Sequence, residues 1–253
     1  MRYFFKLAYN GENYFGWQIQ SRHVSLQETL TKAVSLLLKE DVTIVGAGRT
    51  DTGVHAKDFY AHFDTSFIFT ETNKPDFIYR LNSFLPHDIV VYDILNVDEN
   101  AHARFDALSR TYRYYVTTRK NPFTKPFTHR LFYSPNVEQM NICCKKMMNY
   151  VDFTSFSKVH THTYTNNCHI TQALWMSDET DLLIFEITAD RFLRNMVRAI
   201  VGTLLEAGRG RISVEDFCTI IEQKDRRKAG ISVPANALFL EKIVYPENIW
   251  RSL

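Results

Sequence analysis

The chain has 253 residues, 45% of them hydrophobic and 23% charged, enough apolar material for one large core or two modest ones and too much for a disordered chain. Thirty Lys and Arg against 28 Asp and Glu leave a formal charge of +2, far from the strongly basic balance that announces a nucleic-acid binder. Apolar runs such as residues 34–38 and 196–205 fall short of the roughly 20 residues that span a bilayer, so no membrane segment is expected.

Lys6 interrupts the apolar opening and no small-residue cleavage site follows, which argues against a secretory leader. Four cysteines, two of them adjacent (Cys143 and Cys144), have neither metal-ligand spacing nor a disulfide framework. A reducing cytoplasm is the expected compartment.

In chain order, residues 2–9 alternate as a strand with Tyr3, Phe5, Leu7 and Tyr9 on one face, closed by Asn10-Gly11. Ser25 and Glu28 predict a capping box for a helix to about Lys39, with Leu26, Leu30, Ala33 and Leu37 on its core face. Residues 42–45 are β-branched and predict a short strand leading into a Gly-rich loop, and residues 59–63 predict another. A helix from Pro75 to Phe84 and a strand over 89–95 follow. Residues 111–117 alternate well, with Tyr112, Tyr114 and Val116 on one face. Ser134-Pro135 predicts a helix start, residues 182–188 a strand, 192–206 a helix, Ser213 with Asp216 a further cap, and 238–244 a last strand. The order of elements repeats loosely, giving two α+β halves divided at 104/105.

The loop Gly46 to Ala56 packs three glycines, Arg49, Asp51 and His55 into eleven positions after a strand. Glycines allow positive φ and close backbone approach, which can hold a carboxylate out at a cleft. The same residues read equally well as a tight turn stiffened by an Arg49 to Asp51 pair. The glycine spacing fits neither a dinucleotide loop nor a P-loop. His160, His162, Cys168 and His169 are close in sequence but poorly spaced for zinc, and no metal is expected there.

Gly48-Arg49-Thr50-Asp51-Thr52-Gly53-Val54-His55-Ala56 resembles the signature of the tRNA pseudouridine synthase A (TruA) family, whose Asp is catalytic. Further blocks resemble the family in order: Phe15-Gly16-Trp17-Gln18-Ile19-Gln20, Ser25-Leu26-Gln27, Leu81-Asn82, Leu85-Pro86, Ala103-Arg104-Phe105, Arg110 to Tyr114, Asp152-Phe153-Thr154-Ser155-Phe156, and Phe192-Leu193-Arg194-Asn195-Met196-Val197-Arg198. The sequence departs from the family at Asn10, usually Asp, and at Ala237, usually Gly, and resembles it least around His160 to His169.

The resemblance implies two α+β halves with mixed, mostly antiparallel sheets joined into one sheet flanked by helices, the active-site cleft lying between the halves. It implies an isomerase that converts uridine to pseudouridine at positions 38, 39 and 40 of the tRNA anticodon stem and loop, without a cofactor, as a homodimer. By the same carry-over Asp51 is catalytic. Tyr112 faces the target base, Arg198 pairs with the catalytic carboxylate, and Arg49 helps the uridine leave the stack. His55 supports the loop, and Arg104, Arg110, Arg191 and Arg194 are candidate RNA contacts. Arg191, Arg194 and Arg198 are spaced to share one helix face. A paralogous synthase acting on other RNA positions, a non-catalytic RNA binder, or a hydrolase built on Asp51 and His55 are the alternatives.

The charge is unevenly distributed. Arg104, Arg110, Arg113, Arg119, Lys120, Lys125 and Arg130 share a stretch whose single acid is Asp106, and Lys224, Arg226, Arg227 and Lys228 form a second basic run. A near-neutral total is therefore compatible with an RNA-facing surface.

Overall fold

The computed structural model describes residues 1–158, 164–177 and 182–251. Its elements in chain order are β1 (Arg2–Tyr9), α1 (Leu26–Leu38), β2 (Val45–Gly46), β3 (His55–Asp64), α2 (Lys74–Phe84), β4 (Ile89–Asn96), β5 (Ser109–Thr117), β6 (His129–Arg130), α3 (Val137–Met147), β7 (Ile170–Ser177), β8 (Leu183–Ala189), α4 (Met196–Gly208), α5 (Val214–Glu222) and β9 (Leu238–Val244). The expected α+β class is observed. Two compact units are present, Met1–Leu108 with Leu240–Leu253, and Ser109–Phe239. No described helix is long and apolar enough to cross a membrane.

In the first unit β1 lies between β3 and β4, antiparallel to both, and β2 pairs with β3. Tyr3, Phe5, Leu7 and Tyr9 face the helices: Phe5 stacks on Phe63 at 4.2 Å, and Phe69 joins Tyr3 to Phe77 of α2. The opposite face of β1 is covered too, since fully buried Phe4 meets Tyr245 at 5.5 Å and Trp250 at 6.0 Å. Burial on both faces explains the unbroken aromatic run Tyr3-Phe4-Phe5, each ring contributing roughly 2–3 kcal/mol. The same contacts explain why the chain after Leu240, which sequence order placed in the second half, belongs to this unit. The Tyr245 hydroxyl donates to the Ala103 carbonyl, and Leu108 N donates to Val244 O at 2.8 Å.

Two local expectations are corrected here. Residues 42–44 are not strand: the Ile44 carbonyl accepts from Gln27 Nε2 at 2.7 Å and Val42 N donates to Ser35 Oγ, so side chains of α1 replace a ladder. The box at Ser25 is half formed. Ser25 Oγ accepts from Glu28 N at 3.2 Å, while the Glu28 carboxylate pairs with Lys32.

In the second unit β8 lies between β5 and β7, antiparallel to both, and β6 runs parallel to β5. The sheets are thus mixed and mostly antiparallel, as expected. Helix α4 is central, with eleven of its thirteen residues buried. Asn141 on α3 docks that helix against β7, its amide bracketing the Trp175 backbone at 2.8 and 3.0 Å. The box at Ser213 and Asp216 is complete. Two helix starts move. Asn136, not Ser134, caps α3, its side chain accepting from Gln139 N at 3.0 Å. Helix α4 begins at Met196 rather than 192, because Asn195 takes the left-handed conformation (φ 65°), which a short amide side chain tolerates but which stops a helix from running through it.

Candidate active site

The Gly-rich loop sits between β2 and β3 and is held from one side by residues 9–17. At Gly46 a Cβ would fall 2.4 Å from the Trp17 ring, and at Gly16 (φ +81°) it would fall 2.3 Å from the Thr50 carbonyl. Close approach therefore requires glycine at both positions. Buried Thr50 is fixed by main chain and side chain: its carbonyl accepts from Trp17 N at 3.3 Å and its hydroxyl meets the Tyr9 hydroxyl at 3.0 Å. The next residue, half-buried Asp51, closes a turn in which its carbonyl accepts from Val54 N at 3.1 Å. Gly53 supplies that turn's positive φ of 77°. The loop is thus a rigid mount for one carboxylate, a property not evident in the glycine count.

His55 is buried at the start of β3, and its Nδ1 accepts from Gly11 N at 3.1 Å. A nitrogen that accepts a hydrogen bond carries no proton, so His55 ties the Gly11 turn to the loop. Arg49 is exposed and donates from Nε to Gln18 Oε1 at 3.2 Å. Gln18 donates in turn to Gln27, so an amide relay anchors the arginine to α1.

In the second unit, half-buried Tyr112 lies on β5 opposite Ile187 of β8, its ring edge-on to Phe192 at 5.1 Å. Arg198 lies in the first turn of α4. Its Nε donates to Val233 O at 2.7 Å and its carbonyl accepts from Val233 N at 3.3 Å. The segment 229–233 that receives Arg198 is held at several further points, by α4, its N-cap residue and Arg226. Gly230 N donates to Thr203 Oγ1 at 2.9 Å, Asn195 Nδ2 donates to Ser232 Oγ, and Arg226 reaches Gly230 O at 3.0 Å and Ser232 Oγ at 2.9 Å. A Cβ on Gly202 would strike the Ile231 carbonyl at 1.9 Å. Sequence reasoning missed this clamp; its faint signals were Gly202 inside a helix and Gly230 after the basic run.

The common helix face proposed for Arg191, Arg194 and Arg198 does not exist, because the first two precede α4. Arg191 N donates to Asp190 Oδ1 and the Arg194 carbonyl accepts from Lys158 N. Arg110 donates to Asp190 O at 2.7 Å, and Arg104 is exposed with its guanidinium 5.5 Å from the Phe105 ring. His160 and His162 lie outside the described residues. Cys168 is buried, which pushes its thiol up to about 12 and makes it a poor thiolate ligand. No group of three His, Cys, Asp or Glu able to hold a metal occurs among the described residues.

A family model described as tRNA pseudouridine synthase matches residues 150–246. The tRNA pseudouridine synthase A of Bacteroides thetaiotaomicron is 54% identical over 251 residues, covering 98% of this chain and 92% of that protein. That of Parabacteroides distasonis is 53% identical over 252 residues, covering 98% of each chain. The protein of the same name from Thermoanaerobacter sp. strain X514 is 38% identical over 241 residues, covering 94% of this chain and 97% of that one.

Proposed function

Because the chain belongs to the tRNA pseudouridine synthase A family, we propose that Asp51 is the carboxylate with which it isomerises uridine to pseudouridine in the anticodon stem and loop of tRNA, at positions 38, 39 and 40. The identity extending over 98% of the chain carries this reading, and the rigid seating of Asp51 supports it.

The reaction needs no outside group. The N1 to C1′ bond breaks, the base turns within the site, and C5 bonds to C1′. C5 then loses its proton and N1 ends protonated, so atoms and electrons balance without redox chemistry or a cofactor. A carboxylate serves such a reaction by transient covalent bonding or by stabilising cationic character at the sugar. A mount with little freedom lowers the cost of reaching that geometry. The turn around Asp51, braced by Thr50 and Gly53, supplies such a mount.

Tyr112 and Arg198 are the substrate-binding partners in this reading. The Tyr112 ring offers a face to the base and is steadied edge-on by Phe192. Arg198 is the partner of the reacting carboxylate in this reading, and its bond to Val233 O sets the direction of the guanidinium. Arg49, exposed on the loop, contacts the stem as the uridine leaves the stack. His55 holds the loop rather than moving protons, consistent with its burial and its bond to Gly11. Arg104, Arg110, Arg191 and Arg194 are further RNA contacts. The enzyme acts in the cytoplasm as a homodimer in which a tRNA held by both subunits is modified by one.

Incubation with unmodified tRNA transcripts, followed by mapping pseudouridine by position, tests the reading. The expected product lies at positions 38 to 40. Asp51→Ala is expected to form none while still binding tRNA; isomerisation by that variant sinks the assignment.

A further inference from the structure

The net charge of +2 conceals a stretch of one sign. From Ala107 to Val137 the chain carries six Lys and Arg and no Asp or Glu. Arg113 is paired with Glu186 at 2.6 Å, and beyond Arg110 a further group of exposed cations lies between β5 and the residues just after β6. Two cations of the second basic run are paired in place and a third is turned inward. Lys224 pairs with Asp152 at 2.9 Å, Arg227 grips Asp225 with two nitrogens, and Arg226 braces the segment at Gly230.

The excursion between β5 and β6 leaves and returns at one residue. Thr117 Oγ1 accepts from Arg119 N at 3.1 Å, and the Thr117 carbonyl accepts from Leu131 N at 2.8 Å. Inside it, Lys125 N donates to Asn121 O and Phe127 N to Thr124 O, while Thr128 Oγ1 donates back to Thr124 O. Its base is seated on the second unit: the Phe127 ring meets Phe239 at 5.9 Å, and Pro126 O accepts from Asn236 at 2.9 Å. What this stiff loop presents outward is Phe123, 89% exposed, flanked by exposed Lys120 and Lys125. Just past β6, Phe132 is 86% exposed and the Arg130 guanidinium lies 4.8 Å from its ring centre.

We propose that Lys120, Phe123, Lys125, Arg130 and Phe132 form a docking surface for tRNA, additional to the residues assigned to the target uridine. The proposal rests on the reading of this chain as a tRNA-modifying enzyme. Two large aromatic side chains held in water contribute nothing to the core, whereas cations beside exposed rings are what a nucleic acid uses: phosphates meet the charges and unpaired bases stack on the rings. The internal bonds of the loop mean that little ordering is lost on binding. Charge selects the partner. A contact with a second copy whose two-fold axis runs through this acid-free stretch would set it against itself, whereas a polyanion complements it.

The test uses the full chain and unmodified tRNA transcripts, with Kd measured over a range of salt. Lys120→Glu combined with Lys125→Glu is expected to raise Kd on the order of tenfold or more and to lower the slope of log Kd against log salt by about two. The rise in KM should exceed any fall in kcat. Phe123→Ser combined with Phe132→Ser is expected to raise Kd on the order of tenfold with the slope unchanged, because stacking releases no counterions, and Phe123→Tyr, which keeps the ring, to retain wild-type affinity. Kd values and slopes within twofold of wild type for both double variants overturn the surface. So does a serine pair that sediments as a smaller species with unchanged tRNA affinity, which would make the rings a contact between copies. Pseudouridine formation by the wild type is scored on the same transcripts. Active wild type with unaffected variants removes this surface alone, and inactive wild type removes the enzymatic reading on which it rests.

Discussion

The hydroxyls of Tyr9 and Thr50 meet at 3.0 Å inside the first unit, so the residue immediately before Asp51 is fixed from the end of β1. Tyr9→Phe removes this bond and leaves the Thr50 hydroxyl in a buried site, at an expected cost of about 1–2 kcal/mol in unfolding free energy. The larger effect should fall on turnover. A catalytic group released from its mount loses rate before it loses binding, so single-turnover pseudouridine formation should slow on the order of tenfold while tRNA affinity holds. Equal losses in rate and affinity would contradict a positioning role for Tyr9.

The glycines around the loop separate packing from composition. Gly16→Ala combines a positive φ with a Cβ 2.3 Å from the Thr50 carbonyl, and should cost at least about 2 kcal/mol in a urea titration, with activity lost through displacement of Thr50. Gly48→Ala, whose Cβ would meet nothing within 4 Å, should change stability by no more than about 0.5 kcal/mol. A Gly48 variant as damaged as the Gly16 variant would show that the loop needs flexibility rather than close approach.

This contrast marks what a sequence discloses. The strand Arg2–Tyr9 and the box at Ser213 are local patterns that survive translation into structure, whereas the equally local box at Ser25 is half formed because Lys32 takes the Glu28 carboxylate. The larger misses are long-range. Residues 42–44 have strand propensity, but Gln27 and Ser35 reach their backbone first. The apolar spacing of Phe192, Met196 and Ile200 continues through Asn195, whose left-handed backbone starts α4 afresh and strands Arg191 and Arg194 outside it. The collar from Tyr9 to Trp17 and the clamp on Arg198 depend on partners dozens of residues away, so no window of sequence contains them.

Thr203 carries the most demanding part of that clamp. Fully buried in α4, its hydroxyl donates to Ala199 O at 2.8 Å and accepts from Gly230 N at 2.9 Å. Thr203→Val keeps the shape but leaves Gly230 N without that acceptor, which should destabilise the protein by about 1–3 kcal/mol. Since the same segment receives Arg198 through Val233, the variant should also lose isomerase rate at temperatures where it remains folded. Thr203→Ser, which retains the hydroxyl, should recover the rate.

His62 makes stability depend on acid. It is 5% exposed on β3, its Nδ1 accepts from Ala103 N at 3.1 Å, and its ring centre lies 4.6 Å from that of His102. Burial, followed by the charge of Arg2 and by His102, takes its pKa down to about 4. In the unfolded chain the imidazole titrates near 6.5, so between pH 6.5 and 4 the unfolded state binds a proton that the folded state refuses. The stability contributed by the neutral ring is complete above pH 6.5 and is lost as pH falls toward 4, an effect of roughly 3 kcal/mol. His62→Asn retains an acceptor for Ala103 N and cannot titrate. It should start less stable than wild type at neutral pH, yet its urea midpoint should fall less steeply through this window. Parallel curves for the two proteins would place the acid sensitivity in other groups.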